Sequence, residues 1–185
     1  MKRVSGIVLC VLLLAGCSSQ GDLGQVTSLR QELLSANGCT FQADITADYG
    51  DYLHVFNMVC SGDKEGNLEF TVSRPESIAG ITGRITDNSA NLTFNDKVLG
   101  FALLADGQFS PVSAPWILLK TLRSGYIRSI ANTKQGTSIR IDDSYNDDPL
   151  QVDILLDDNN LPLSAEIVWQ NRRILSMKIT EFTFL

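Results

Sequence analysis

The sequence predicts an α+β domain in which one strongly curved antiparallel sheet of about ten to eleven strands, a half-open β-barrel, is covered by helices. Three observations predict it. Short runs of alternating apolar and polar residues, cut by Gly, Asn and Asp turns, recur along most of the chain. Other segments repeat apolar residues every three or four positions, the period of a helix. The last three runs agree on one buried face whichever neighbour each is paired with. A sheet of that many strands curls through its own twist and leaves a concave apolar face that helices must cover.

With 185 residues, 44% apolar and 19% charged, the chain suits one domain with a single core. Its start holds Lys2 and Arg3, an apolar run from Ile7 to Leu14, and Ala15-Gly16 before Cys17. That is the pattern of an export signal over 1–16, too short to span a bilayer as a stable helix. Leu14-Ala15-Gly16-Cys17 resembles the lipobox of bacterial lipoproteins, which implies acylation of Cys17 and a mature chain beginning there. An ordinary cleaved signal, or a buried N-terminal segment with an incidental cysteine, is the alternative. Residues 17–24 are the lipidated anchor and a tether of about seven residues, reaching roughly 25 Å at ~3.5 Å each. Residues 25–185 are the domain. Cleavage removes Lys2 and Arg3 but no acidic residue, so a net charge of −6, from 15 basic and 21 acidic side chains, becomes −8. Nucleic acid and anionic membrane surfaces require clustered positive charge, so membrane attachment falls to acyl chains on Cys17.

Val26, Leu29 and Leu33 recur at helical spacing, Leu34 widens the stripe, and Asn37-Gly38 supplies a stop. From Cys39 to Cys60, a strand, a turn at Tyr49-Gly50 and a second strand set Cys39 opposite Cys60, Phe41 opposite Met58, Ala43 opposite Phe56 and Ile45 opposite His54. Of the four cysteines, Cys10 leaves with the signal and Cys17 carries lipid, so export favours a Cys39–Cys60 disulfide. Free buried thiols are the alternative; a metal site lacks ligands, because the one histidine, His54, lies far along the ladder.

Leu68 to Val72 alternates and stops before Pro75. From Ile81 to Phe101 short strands cut by polar turns then read as a meander, with strands at Asn91–Phe94 and Val98–Leu104. Ser113 can cap a helix, Pro115 fits its first turn, and Trp116, Leu119, Leu122, Tyr126 and Ile130 continue the helical period. This predicts the longest helix of the chain over 113–131. A turn at 157–160 pairs Leu156 with Leu161, Ile154 with Leu163 and Val152 with Ala165. A turn at 170–172 pairs Ile167 with Leu175, Ala165 with Met177 and Leu163 with Ile179, so Leu163, Ala165 and Ile167 face the core in both hairpins.

The helix before the first hairpin, the strand ending at Arg74-Pro75, the strands flanking Asn95-Asp96-Lys97, the helix opening at Ser110-Pro111 and the final three strands with Pro162 resemble the LolA/LolB-like superfamily of lipoprotein carriers and sorting proteins. The resemblance covers about 25–185. It implies a non-enzymatic half-barrel that holds acyl chains or other hydrophobic ligands under its helices, with no cofactor. For this chain it implies a membrane-anchored lipoprotein binding lipid or lipoprotein acyl chains, in lipid or lipoprotein trafficking. The alternative is a protein-interaction lipoprotein of the same fold, acting on envelope or cell-wall partners, spore germination included, without bound lipid. The location is the outer membrane facing the periplasm or the outer face of the cytoplasmic membrane.

Phe41, Phe56, Met58, Phe70, Trp116, Leu119 and Tyr126 are the candidate ligand surface, and plain core packing is the competing reading. Asp142-Asp143, Asp147-Asp148 and Asp157-Asp158 read as turn residues, since they lack the spacing of a calcium loop. No GxSxG, HExxH or phosphate-loop string occurs.

Overall fold

The computed structural model describes residues 20–185 apart from Leu103, Asp106 and Gly107, so the signal 1–16 and Cys17 lie outside the described residues. Helix α1 (Gln20–Ser35) is followed by β1 (Gly38–Asp48), β2 (Leu53–Asp63), β3 (Leu68–Arg74), β4 (Thr82–Ile85), β5 (Ala90–Phe94) and β6 (Lys97–Gly100). A small ladder of β7 (Leu104–Ala105) and β8 (Gln108–Phe109) leads to α2 (Ala114–Ser124). Then come β9 (Tyr126–Thr133), β10 (Gly136–Asp142), β11 (Gln151–Leu156), β12 (Pro162–Trp169) and β13 (Arg172–Phe184).

Eleven strands form one unclosed antiparallel sheet in the order β6-β5-β4-β3-β2-β1-β13-β12-β11-β10-β9. Each half is a meander, and the halves meet where β1 pairs with β13. Side chains alternate between faces, so Phe41, Ala43, Ile45 and Ala47 of β1 are buried together with Val152, Ile154 and Leu156 of β11. The helices lie over this inner face: Val26, Leu29 and Leu33 from α1 and Trp116, Ile117, Leu118, Leu119 and Leu122 from α2 complete the core. This is the curved, helix-covered half-barrel the sequence predicts.

Several boundaries differ from expectation, each for a local reason. Helix α1 begins at Gln20, inside the expected tether, and Leu34 is 51% exposed rather than part of the apolar stripe. In the first hairpin Phe41, not Cys39, lies opposite Cys60, and Ile45 lies opposite Phe56. The turn sets this shift: Tyr49 N donates to Tyr52 O, leaving Gly50 first in the turn at φ 89°, where Tyr49 would have been strained. Because the shift is two residues, each side chain keeps its face.

The strand expected over Val98–Leu104 stops at Gly100, because β5 begins at Ala90 and Phe101 N takes its last carbonyl. Helix α2 ends at Ser124, not near 131, and at 11 residues it is shorter than the 16 of α1. Tyr126 and Ile130 lie in β9, where Ile127 and Ile130 pair with Ile141 and Ile139 of β10. β-branched residues favour that pleated surface, and Gly125 is the junction that permits it. In the β11–β12 hairpin Ile154 faces Ala165 and Val152 faces Ile167, with an irregularity at Leu156 opposite Pro162. Leu163 is consequently 38% exposed, whereas Ala165 and Ile167 are buried as expected. The β12–β13 pairs, Ile167 with Leu175 and Ala165 with Met177, are as predicted.

Candidate functional site: the covered concave face

Five of the seven candidate residues meet in the layer between sheet and α2. Phe41, Met58, Phe70, Trp116 and Leu119 are each no more than 6% exposed and belong to one cluster. Phe41 stacks on Phe182 of β13 with ring centroids 5.4 Å apart, and Lys120 Nζ lies 4.7 Å over the Trp116 ring, closing it from solvent. The other two are elsewhere. Phe56 is half-buried near the β1–β2 turn beside His54, which also contacts the rings of Tyr49 and Tyr52. Tyr126 opens β9 and packs on Tyr145.

Helix α2 approaches the sheet closely because Gly62 has no side chain: a Cβ there would stand 2.6 Å from Leu119 Cδ1. Polar contacts then tie the helices to each other. Arg30 of α1 donates to Leu122 O (2.7 Å) and Gly125 O (2.9 Å) at the end of α2. Arg123 of α2 reciprocates, donating to Leu33 O (3.2 Å) of α1 and to Lys64 O (2.6 Å) in the β2–β3 turn. Each cation sits where the partner helix presents unsatisfied carbonyls and the negative end of its dipole. Sequence reading missed both arginines, since their partners lie 59 to 95 residues away and leave no local signal.

One polar group stands out in this layer. Thr121 is 1% exposed on α2, and its Oγ1 is buried without a hydrogen-bond partner. A hydroxyl left so costs about 1–3 kcal/mol.

Cys39 and Cys60 are buried free thiols, not the expected disulfide. With Cys39 opposite Gly62, the two are diagonal neighbours, which typically stand about 7–8 Å apart, with their Cβ atoms somewhat closer. A disulfide needs about 3.5–4.5 Å. Burial pushes the Cys39 thiol up to about 11, partly offset by a hydrogen bond from the Gly62 backbone and by Arg123, and pushes Cys60 higher still with help from Cys39.

The acidic pairs disperse into separate structural roles. Asp142 is 6% exposed and ion-pairs with Arg128; Asp143 Oδ1 accepts Leu150 N (2.8 Å); Asp157 Oδ1 accepts the amides of Asn159 and Leu161. Asp148 accepts from Gln170. Among the described residues no group of three or more His, Cys, Asp or Glu could hold a metal. Two open clefts, of about 420 and 500 Å³, lie on the outer face of the sheet, among hydroxyls and the Arg84–Glu69 and Arg140–Asp153 pairs.

An unclosed eleven-stranded sheet whose apolar inner face lies under two helices is a half-barrel. The chain is similar to several solved structures. A DUF1329 family protein from Desulfovibrio piger is 8% identical, with a TM-score of 0.51 over 89% of this chain and 92% of that one. An uncharacterized conserved protein from Thermus thermophilus is 12% identical, with a TM-score of 0.47 over 91% and 88%. A LolA superfamily protein from Nitrosomonas europaea is 6% identical, with a TM-score of 0.44 over 86% and 93%. At 8% identity and a TM-score of 0.51, the likeness to the Desulfovibrio piger protein concerns the fold alone. No protein-family model and no curated protein matches the chain.

Proposed function

We propose that the chain is a non-enzymatic, exported binding protein of the cell envelope, held at a membrane through acylated Cys17, whose half-barrel receives acyl chains of a lipid or lipoprotein between the sheet and α2. The observation that carries this reading is the Thr121 hydroxyl of α2, buried and without a hydrogen-bond partner beside the apolar core residues of that helix. Such a group is suited to donate to the ester or amide carbonyl of an acyl ligand. The layer above it is closed by hydrogen bonds from Arg30 and Arg123, contacts that can be exchanged for water when α2 lifts.

A second reading, a protein-interaction lipoprotein with a filled core, draws on the close fit of Leu119 over Gly62. Thr121→Val separates the two. The substitution keeps the shape and removes the orphan hydroxyl, so in both readings the fold is stabilised, by about 1 kcal/mol. If acyl ligands bind there, uptake of a fluorescent fatty acid ester weakens severalfold in the variant. No ester uptake by the parent, together with no co-purifying lipid in native mass spectrometry, sinks the acyl reading and leaves the second.

A further inference from the structure

The upper part of β2 is an open sheet edge. β2 pairs with β1 along its whole length, from Leu53 opposite Asp48 to Asp63 opposite Gly38, but β3 pairs with it only from Asn57 onward. Arg74 is the last β3 residue, and Pro75 has no N–H with which to extend the ladder. Residues Leu53 to Phe56 therefore have a strand on one side only among the described residues.

The hydrogen-bond phase identifies which groups are free. Tyr49 N to Tyr52 O makes 49 and 52 a hydrogen-bonded pair, so in an antiparallel ladder His54 and Phe56 also bond toward β1. The N–H and C=O of Leu53 and Val55 then point away from β1. Asn57 follows the same phase: its carbonyl faces β3 and accepts the Ser73 hydroxyl at 3.2 Å. Leu53 and Val55 are also 66% and 57% exposed. Open edges normally carry a charge, a proline or a bulge that deters pairing, and Leu53-His54-Val55-Phe56 carries none. The terminal strands are blunted: β6 is four residues long and opens with Lys97, and β9 carries Arg128.

At the lower end of this edge, where β3 departs, lies a cleft of about 450 Å³ lined by Val55, Phe56 and Pro75 and bordered by Asp44, Arg74 and Glu76. That is room for an apolar side chain. Asp51 flanks the upper end, beside the turn and next to Asp48, whose carboxylate is ion-paired with Arg172. A second copy pairing with itself here would set these carboxylates against their equivalents, which is unfavourable. A strand bearing lysine or arginine would be attracted instead.

We propose that the free edge of β2 at Leu53 and Val55 docks an extended segment of a partner protein as an added strand, with one apolar side chain in the cleft at Pro75 and basic side chains toward Asp44, Asp51 and Glu76. The docking uses backbone groups and the outer side of β2, so it is independent of any acyl ligand under α2. Strand addition of this kind takes affinity from main-chain hydrogen bonds and specificity from alternate side chains.

The test uses the full chain in detergent micelles and two acetylated octapeptides, one alternating valine with lysine and one alternating valine with glutamate. The valine–lysine peptide is expected to bind at least tenfold more tightly and to slow hydrogen exchange at the Leu53 and Val55 amides. Val55→Pro removes an outward N–H without touching the bonds to β1, and Leu53→Lys with Val55→Lys places charge at two exposed positions; both variants are expected to fold, to lose protection at the amide of residue 53 and to bind the valine–lysine peptide at least tenfold more weakly. Equal binding of the two peptides, unchanged binding by both variants, or protection outside 53–56 overturns the proposal. So does a dimer in sedimentation equilibrium that Val55→Pro abolishes, which would assign the edge to a second copy.

Discussion

Cys39 and Cys60 show how a correct face assignment can accompany a wrong chemical one. Both point into the core, as the alternation requires, but a hairpin slip of two residues turns an opposed pair into a diagonal one. Nothing in the spacing distinguishes the two registers; the distinction lies in which turn position takes a positive φ, and Gly50 takes it. The buried thiols carry a pH signature. Unfolded, each ionises near 9.0, whereas in the fold burial raises Cys39 to about 11 and Cys60 further. The unfolded chain thus loses these protons first as pH rises, so stability held in full below pH 9.0 falls through the window up to about 11. By pH 10 the loss is about 1 kcal/mol per thiol. Thermal melts at pH 8 and pH 10 check this: the drop should shrink in Cys39→Ala/Cys60→Ala, while alkylation mapped by mass spectrometry should modify neither residue before unfolding.

At the level of elements, strands were more legible than helices and registers. The β12–β13 hairpin was readable because both flanking runs alternate strictly and its turn is short. Residues 113–131 misled because Tyr126 and Ile130 continue a helical period that the chain abandons at Gly125. What decides that point is tertiary: a Cβ on Gly125 would lie 2.5 Å from Ile141 Cγ2, 2.7 Å from Thr121 O and 2.9 Å from Asp142 O. The apolar members of the candidate site were legible for the same reason that strands were, whereas the arginines locking the helices were not. Arg30→Met and Arg123→Met keep the aliphatic stem and remove the donors. Each is expected to cost about 1.5–3 kcal/mol, in line with hydrogen bonds from charged donors. Hydrogen exchange offers the sharper check: amides of α2 should open faster in both variants, with β11–β13 unchanged. A uniform rise across the sheet would mean that the arginines serve global stability rather than the cover.

The whole molecule depends on a seam between distant parts of the chain. β1 and β13 pair from Cys39 opposite Phe184 to Ala47 opposite Leu175, and they join two meanders that are otherwise each built from sequence neighbours. Local hairpins can form early, but the sheet is continuous only once the last strand is in place, which makes folding slow and late. The seam is also where the core is shared: Leu175, Met177, Ile179 and Phe182 of β13 are all buried against both halves. Burial of each contributes about 1.5–3 kcal/mol. Their sum rivals the whole stability of an ordinary domain, about 5–15 kcal/mol. Ending the chain at Asn171 should therefore abolish cooperative unfolding rather than lower its midpoint. Calorimetry and near-ultraviolet circular dichroism give the answer, with the expected truncated chain showing no heat-absorption peak and no fixed aromatic signal. A sharp transition at lower temperature would instead mean that one meander and its helix fold alone, and that the seam merely joins two finished halves.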